Sequence, residues 1–186
     1  MVTIQSKVPS LTFPKISKLN AHISHCPISN LRLGCGIAKI DKMIELGINV
    51  SLGTDGQGSG SNLDMFEQMK FASLLQKGMS ENPKCLPAYE VLKMATINGA
   101  KALKLDKVIG SIDIGKKADI IIINPNSEVA NPINDVFATI VYNIKGNNVE
   151  TTLINGNIIM EERKIEKVDE AKLLKDCESI IKRIKN

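Results

Sequence analysis

One carboxylate on a glycine-flanked turn carries the clearest chemical signal in this chain. Leu52-Gly53-Thr54-Asp55-Gly56 follows directly on the strand-like run Ile48-Asn49-Val50-Ser51. A barrel of alternating strands and helices keeps its catalytic groups at such strand ends. There Asp55 would serve as a metal ligand or a proton carrier. Asp-Gly is also a common turn dipeptide, in which the aspartate only shapes the backbone. Spacing alone leaves the two readings level, and one carboxylate does not build a site. The two histidines, His22 and His25, stand three apart on a presumed strand. Side chains alternate faces along a strand, so positions three apart point oppositely and cannot grip one metal together. His22 reads as a core or surface histidine. His25, near Pro27 at the strand's end, is placed to face a site mouth. Gly56 to Gly60 ahead of a helix invites a phosphate cradle, but neither a P-loop lysine nor GxGxxG is present. There is no GxSxG elbow, and Cys26 beside His25 is a chain neighbour rather than a nucleophile–base dyad.

The elements that must position these groups follow from periodicity. Asn20 to Cys26 reads as a strand stopped by Pro27, which cannot donate to a ladder. Ser29 to Gly36 reads as a loop. Ile37, Ile40, Met43 and Ile44 predict a helix over 37–46, with Gly47 as its stop. Ile48 to Leu52 is the next strand, so the order is a βαβ unit with parallel pairing. Gln57 to Ser61 reads as a flexible loop. A helix over 62–76 follows, capped by Ser61 or Asn62, with Asp64 well placed for the helix dipole. Pro87 opens another helix that continues through Leu105. Then the texture changes. Residues 110–117 are turn-rich, Ala118 to Ile123 is a β-branched strand, and 134–142 is short and apolar, with Asp135 favouring a helix. Asn155-Gly156 between two apolar runs is a hairpin signal. From Asp169 onward Leu173, Leu174, Cys177, Ile180, Ile181 and Ile184 form one helical stripe. Met1 to Pro14 is irregular.

Composition bounds the rest. The chain of 186 residues can bury a core but cannot hold a complete eight-stranded barrel, which takes about 250 residues. Its net charge of +4 comes from dispersed lysines, clustered only at Lys172, Lys175, Lys182, Arg183 and Lys185. A solvated helix face accounts for that cluster better than a nucleic-acid footprint. Cys26, Cys35, Cys85 and Cys177 are scattered without a CxxC pair, as expected of reduced cytoplasmic thiols rather than a zinc knuckle. No apolar run has the length of a membrane span. Met1 to Ser10 lacks the apolar core of a signal peptide.

In combination, three blocks closely resemble the amidohydrolase superfamily. They are His25-Cys26-Pro27-Ile28-Ser29-Asn30-Leu31-Arg32-Leu33, Leu52 to Gly56, and Ser61-Asn62-Leu63-Asp64-Met65-Phe66. The branch they resemble holds the 5-methylthioadenosine/S-adenosylhomocysteine deaminases with their chlorohydrolase and guanine deaminase relatives. Residues 95–103 and 110–119 match that branch too. The resemblance implies an α/β chain: the last two strands and helices of a metal-dependent (β/α)8 barrel over 16–108, part of a small composite β-sandwich over 109–166, and a terminal amphipathic helix over 167–186, after an irregular 1–15. It implies that Asp55 is the strand-eight aspartate, a ligand to a divalent metal (zinc ahead of iron) and a shuttle of protons to and from the attacking water. His25, Ser29 and Asn30 become substrate-contacting or site-adjacent candidates. The chemistry implied is hydrolytic deamination of a purine-like small molecule, by metal-activated water. The branch's HxH pair on strand one, its histidine and glutamate on strand five and its histidine on strand six have no counterpart here. The expectation is therefore a C-terminal portion of a deaminase, inactive alone and completed by a complementary barrel-forming chain or by homo-oligomerisation. The alternative is a truncated, non-catalytic remnant, or a structural or oligomerising module of the same fold.

Overall fold

The computed structural model describes residues 2–3, 10–60, 62–124, 131–165 and 167–185. Its first half is built on three parallel strands in chain order, β1 (Val2–Thr3), β2 (Ile23–His25) and β3 (Val50–Leu52). The register sets Val2 beside Ile23, Ser24 beside Ser51, and His25 beside Leu52. Between β1 and β2 runs α1 (Phe13–Lys18), preceded by a 3-10 turn at Ser10–Thr12. Between β2 and β3 lie α2 (Pro27–Arg32) and α3 (Ile40–Glu45). After β3 come α4 (Gln57–Gly60), the long α5 (Met65–Ser80), α6 (Ala88–Ala95) and α7 (Ile97–Ala102). The strands do not close into a barrel. Successive strand residues serve opposite faces. Ile23, Val50 and Leu52 join the core with Phe13, Met43, Phe66, Met69 and Met94 on the helix side. Ser24, Ser51 and Gly53 take the other face.

The second half is a four-stranded antiparallel sheet in the order β4 (Ile120–Ile123), β5 (Val149–Ile154), β6 (Asn157–Glu161) and β7 (Lys164–Ile165). Asn155 and Gly156 both take positive φ, 52° and 78°, as a tight mirror-type hairpin requires. Glu162 and Arg163 repeat the geometry between β6 and β7, at 48° and 64°, without any glycine to signal it. Ahead of β5, α8 (Val136–Ala138) runs into a π-helical turn at Thr139–Asn143 and a 3-10 turn at Gly146–Asn148. Val141, Ile144 and Val149 belong to the same core as the first half. Two polar contacts reinforce that junction. Ser73 Oγ donates to the Leu86 carbonyl at 2.9 Å and lies 2.8 Å from the Tyr142 hydroxyl. Gly146 N donates to Asp64 Oδ2 at 2.9 Å. The chain closes with α9 (Glu170–Lys185). No described helix is long and apolar enough to cross a membrane.

Several local expectations are corrected. The N-terminus expected to be irregular contains a short strand and helical turns, so three strands rather than two form the parallel sheet; residues 4–9 lie outside the described set. The loop expected over 29–36 begins as a helix instead. Pro27 ends β2 and also starts α2, because its fixed φ and missing N–H suit a first helical position. The flexible loop after Asp55 is a helical turn over 57–60. Of the two expected caps for the long helix, Ser61 lies outside the described residues and Asn62 precedes the turn. Asp64 caps it, its side chain accepting from Phe66 N. The single helix expected after Pro87 breaks at Thr96, whose φ of −126° and ψ of −98° are not helical.

Candidate active site

Asp55 lies three residues beyond the C-terminal end of β3. Gly53 first continues the strand pairing, its N–H donating to the His25 carbonyl at 2.9 Å. A Cβ at Gly53 would fall 2.9 Å from Ser24 Oγ and 3.1 Å from Cys26 Sγ, so any larger residue there must displace one or both of these side chains. The chain then turns back, with Asp55 at φ 59°, in the left-handed region that aspartate tolerates better than most residues. The turn is packed from beyond as well: a Cβ on Gly60 would run into the Thr54 carbonyl.

Three donors hold the carboxylate. Ser29 Oγ donates to Oδ2 at 2.7 Å, Ser59 Oγ donates to the same oxygen at 2.7 Å, and Gly56 N donates to Oδ1 at 2.8 Å. Ser29 comes from the first turn of α2, and Ser59 from α4. The hydrogen bonds from Ser59, Ser29 and Gly56 hold the Asp55 carboxyl below its ordinary value. It is an exposed anion at neutral pH, already oriented by its neighbours.

The other expected residues divide. Ser29 is brought to Asp55. His25 is not at a mouth: it shares the alternation of Ile23 and Leu52 and is buried on the helix side, 1% exposed. Burial lowers its pKa to about 4, so the ring is neutral at pH 7. Neither ring nitrogen has a hydrogen-bond partner among the described residues. Asn30 is buried as well, its Nδ2 without a partner among the described residues. Gln68, buried on α5, accepts from Ile28 N through Oε1 at 3.4 Å, and its own Nε2 has no partner among the described residues. His22 sits at the opposite strand end, its Nδ1 3.0 Å from Asn49 Nδ2. Burial pushes the Cys26 thiol up, so it is not a ready nucleophile. Ser59 escaped the sequence because its role depends on residues 57–60 coiling back toward Asp55. The usable signal was its position four residues after an aspartate and next to glycines.

Among the described residues no three His, Cys, Asp or Glu side chains gather to hold a metal. A resident metal needs about three protein ligands, so the donors among the described residues do not fit one by themselves; Asp55 is a candidate ligand.

Comparison with known proteins identifies the family. The Amidohydrolase family profile matches residues 2–159. A 5-methylthioadenosine/S-adenosylhomocysteine deaminase of Caldanaerobacter subterraneus is 47% identical over 143 residues, covering 77% of this chain and 33% of that protein. A 5'-deoxyadenosine deaminase of Methanosarcina barkeri is 44% identical over 163 residues, covering 88% and 37%. A crystal structure of an adenosine deaminase from Xanthomonas campestris with bound zinc superposes with a TM-score of 0.95 at 27% identity, over 98% of this chain and 42% of that one. The chain thus spans roughly a third of the length of the curated relatives it matches. It belongs to the amidohydrolase family.

Proposed function

We propose that this chain supplies the Asp55 side of a hydrolytic deaminase site acting on adenosine-type nucleosides, and works only together with the remaining barrel strands. The observation that carries the reading is the Asp55 carboxylate, fixed by Ser29, Ser59 and Gly56 N just past the end of a parallel strand. A divalent metal, zinc ahead of iron, would supply activated water in the complete site, and Asp55 offers it one carboxylate oxygen. Asp55 also accepts a proton from the attacking water and delivers it to the departing amine. The water oxygen bonds to the amidine carbon of the base, the C–N bond breaks, and ammonia leaves. A carboxylate held anionic is suited to accept that proton, and its two serine donors keep it aimed. Ser29 acts as a positioning residue. His25, on the helix side of β2, and Asn30, buried on α2, act by packing and do not touch substrate. The named relatives act on 5-methylthioadenosine, S-adenosylhomocysteine and 5'-deoxyadenosine, which makes these the substrates to try first.

The test is ammonia release from those three nucleosides with added zinc. The purified chain is assayed alone and after co-expression with the complementary N-terminal portion of the Caldanaerobacter deaminase. Turnover in the co-expressed assembly and none for the chain alone is the expected result. An assembly that forms and stays inactive on all three would favour the non-catalytic, structural reading, for which the lack of a metal-ligand cluster among the described residues is the supporting observation.

A further inference from the structure

The least explained part of the molecule is α9. Its side chains from Glu170 to Ile184 are all exposed, including Leu173 at 53%, Leu174 at 65% and Ile184 at 78%. An amphipathic helix of this length normally buries its apolar face. Here Leu173, Cys177, Ile180 and Ile184 follow one another at spacings of four, three and four. That is the seam of a two-stranded coiled coil. Leu174 and Ile181 flank the seam on one side, and Asp176 and Arg183 flank it on the other.

We propose that α9 is a self-association element that pairs antiparallel with α9 of a second copy of this chain. The antiparallel arrangement stacks Leu173 on Ile184 of the second copy and Cys177 on its Ile180, and the two-fold axis repeats both layers. On one flank Leu174 meets Ile181 of the second copy, apolar against apolar. On the other flank Asp176 meets Arg183 of the second copy, and the pair occurs twice. A parallel arrangement matches neither flank, because Asp176 would then face the apolar Ile181. Charge complementarity therefore selects both the occupant and its direction. The helix is only about four turns long, so the pairing is concentration-dependent.

The experiment is sedimentation of the full 186-residue chain over roughly 1 to 300 µM, with four variants. The wild type is expected to dimerise, and L173D/I180D to stay monomeric with an unchanged circular dichroism spectrum. D176K or R183E alone sets like charges opposite each other twice, and should weaken the dimer about tenfold. D176K/R183E restores both pairs and should recover affinity to within about threefold. A wild type that remains monomeric overturns the proposal. So does a dimer that survives L173D/I180D, a double charge reversal that fails to recover, or a monomer that binds anionic lipid vesicles through this helix.

Discussion

At the scale of single residues, the chemistry converges on Asp55 and the two serines that clasp one of its oxygens. Each serine stabilises the anion, so removing either should raise the carboxyl toward its ordinary value. We expect S29A and S59A each to shift the Asp55 carboxyl upward, and the double variant to shift it further. Titration of the side-chain carbon by NMR reads this directly; an unmoved titration would detach the serines from the site. His25 makes the opposite kind of prediction. Its folded pKa, about 4, lies below its ordinary value of 6.5. A group with a depressed folded pKa contributes stability that is fully present above the unfolded value. That stability is lost as pH falls from about 6.5 toward about 4, because the unfolded chain takes up the proton first. Urea unfolding should therefore show about 2 kcal/mol less stability at pH 5 than at pH 7 from this residue. The slope should flatten in H25L. Asp55 was marked as a candidate by its glycine-flanked strand end, but that pattern suits a turn aspartate equally, and only the flanking blocks at 25–33 and 61–66 separated the two readings. His25 was misplaced for a physical reason: its face depends on the register with Leu52, and one strand read alone does not reveal which face is covered.

At the scale of elements, the site depends on how strands hand over to helices. Gly53 is the tightest of these transitions. G53A would press a methyl group onto Ser24 and Cys26 and should cost about 1–3 kcal/mol, with loss of the Ser29–Asp55 contact in a crystal structure of the variant. Asp64 is the second joint. It caps α5 through Phe66 N and reaches across to Gly146 N with its other oxygen. D64A removes both bonds and is expected to destabilise the chain by about 1–2 kcal/mol in chemical unfolding. D64N, which keeps a capping oxygen, should cost less. The regular elements were readable where periodicity or turn chemistry is local, as in the Asn155-Gly156 hairpin and the stripe of α9. Those that escaped depend on tertiary partners. Val2–Thr3 is a strand only because β2 lies beside it. The Glu162-Arg163 turn has no glycine to announce it. Residues 57–60 coil because Gly60 packs against Thr54.

At the scale of the whole molecule, two edges and several apolar surfaces remain open. Among the described residues the parallel sheet has three strands and an unpaired edge at each side, and such edges are normally paired or covered. Successive residues Ile121 and Ile122 are exposed on β4, an edge strand, and Ile112 and Ile114 stand in solvent ahead of it. Surfaces of this kind mark interaction faces. The isolated chain should accordingly bind a hydrophobic dye and lose much of that binding when the complementary barrel portion is present. In the proposed function, Asp55 is the proton-carrying carboxylate of a deaminase site completed by further barrel strands. D55N tests it most directly, since asparagine tolerates the same left-handed turn and keeps the shape of the side chain. Ammonia release is compared between wild type and D55N in the same co-expressed assembly with zinc and 5-methylthioadenosine. A loss of at least about a hundredfold is expected in the variant, with assembly intact. Equal rates in the two would contradict it.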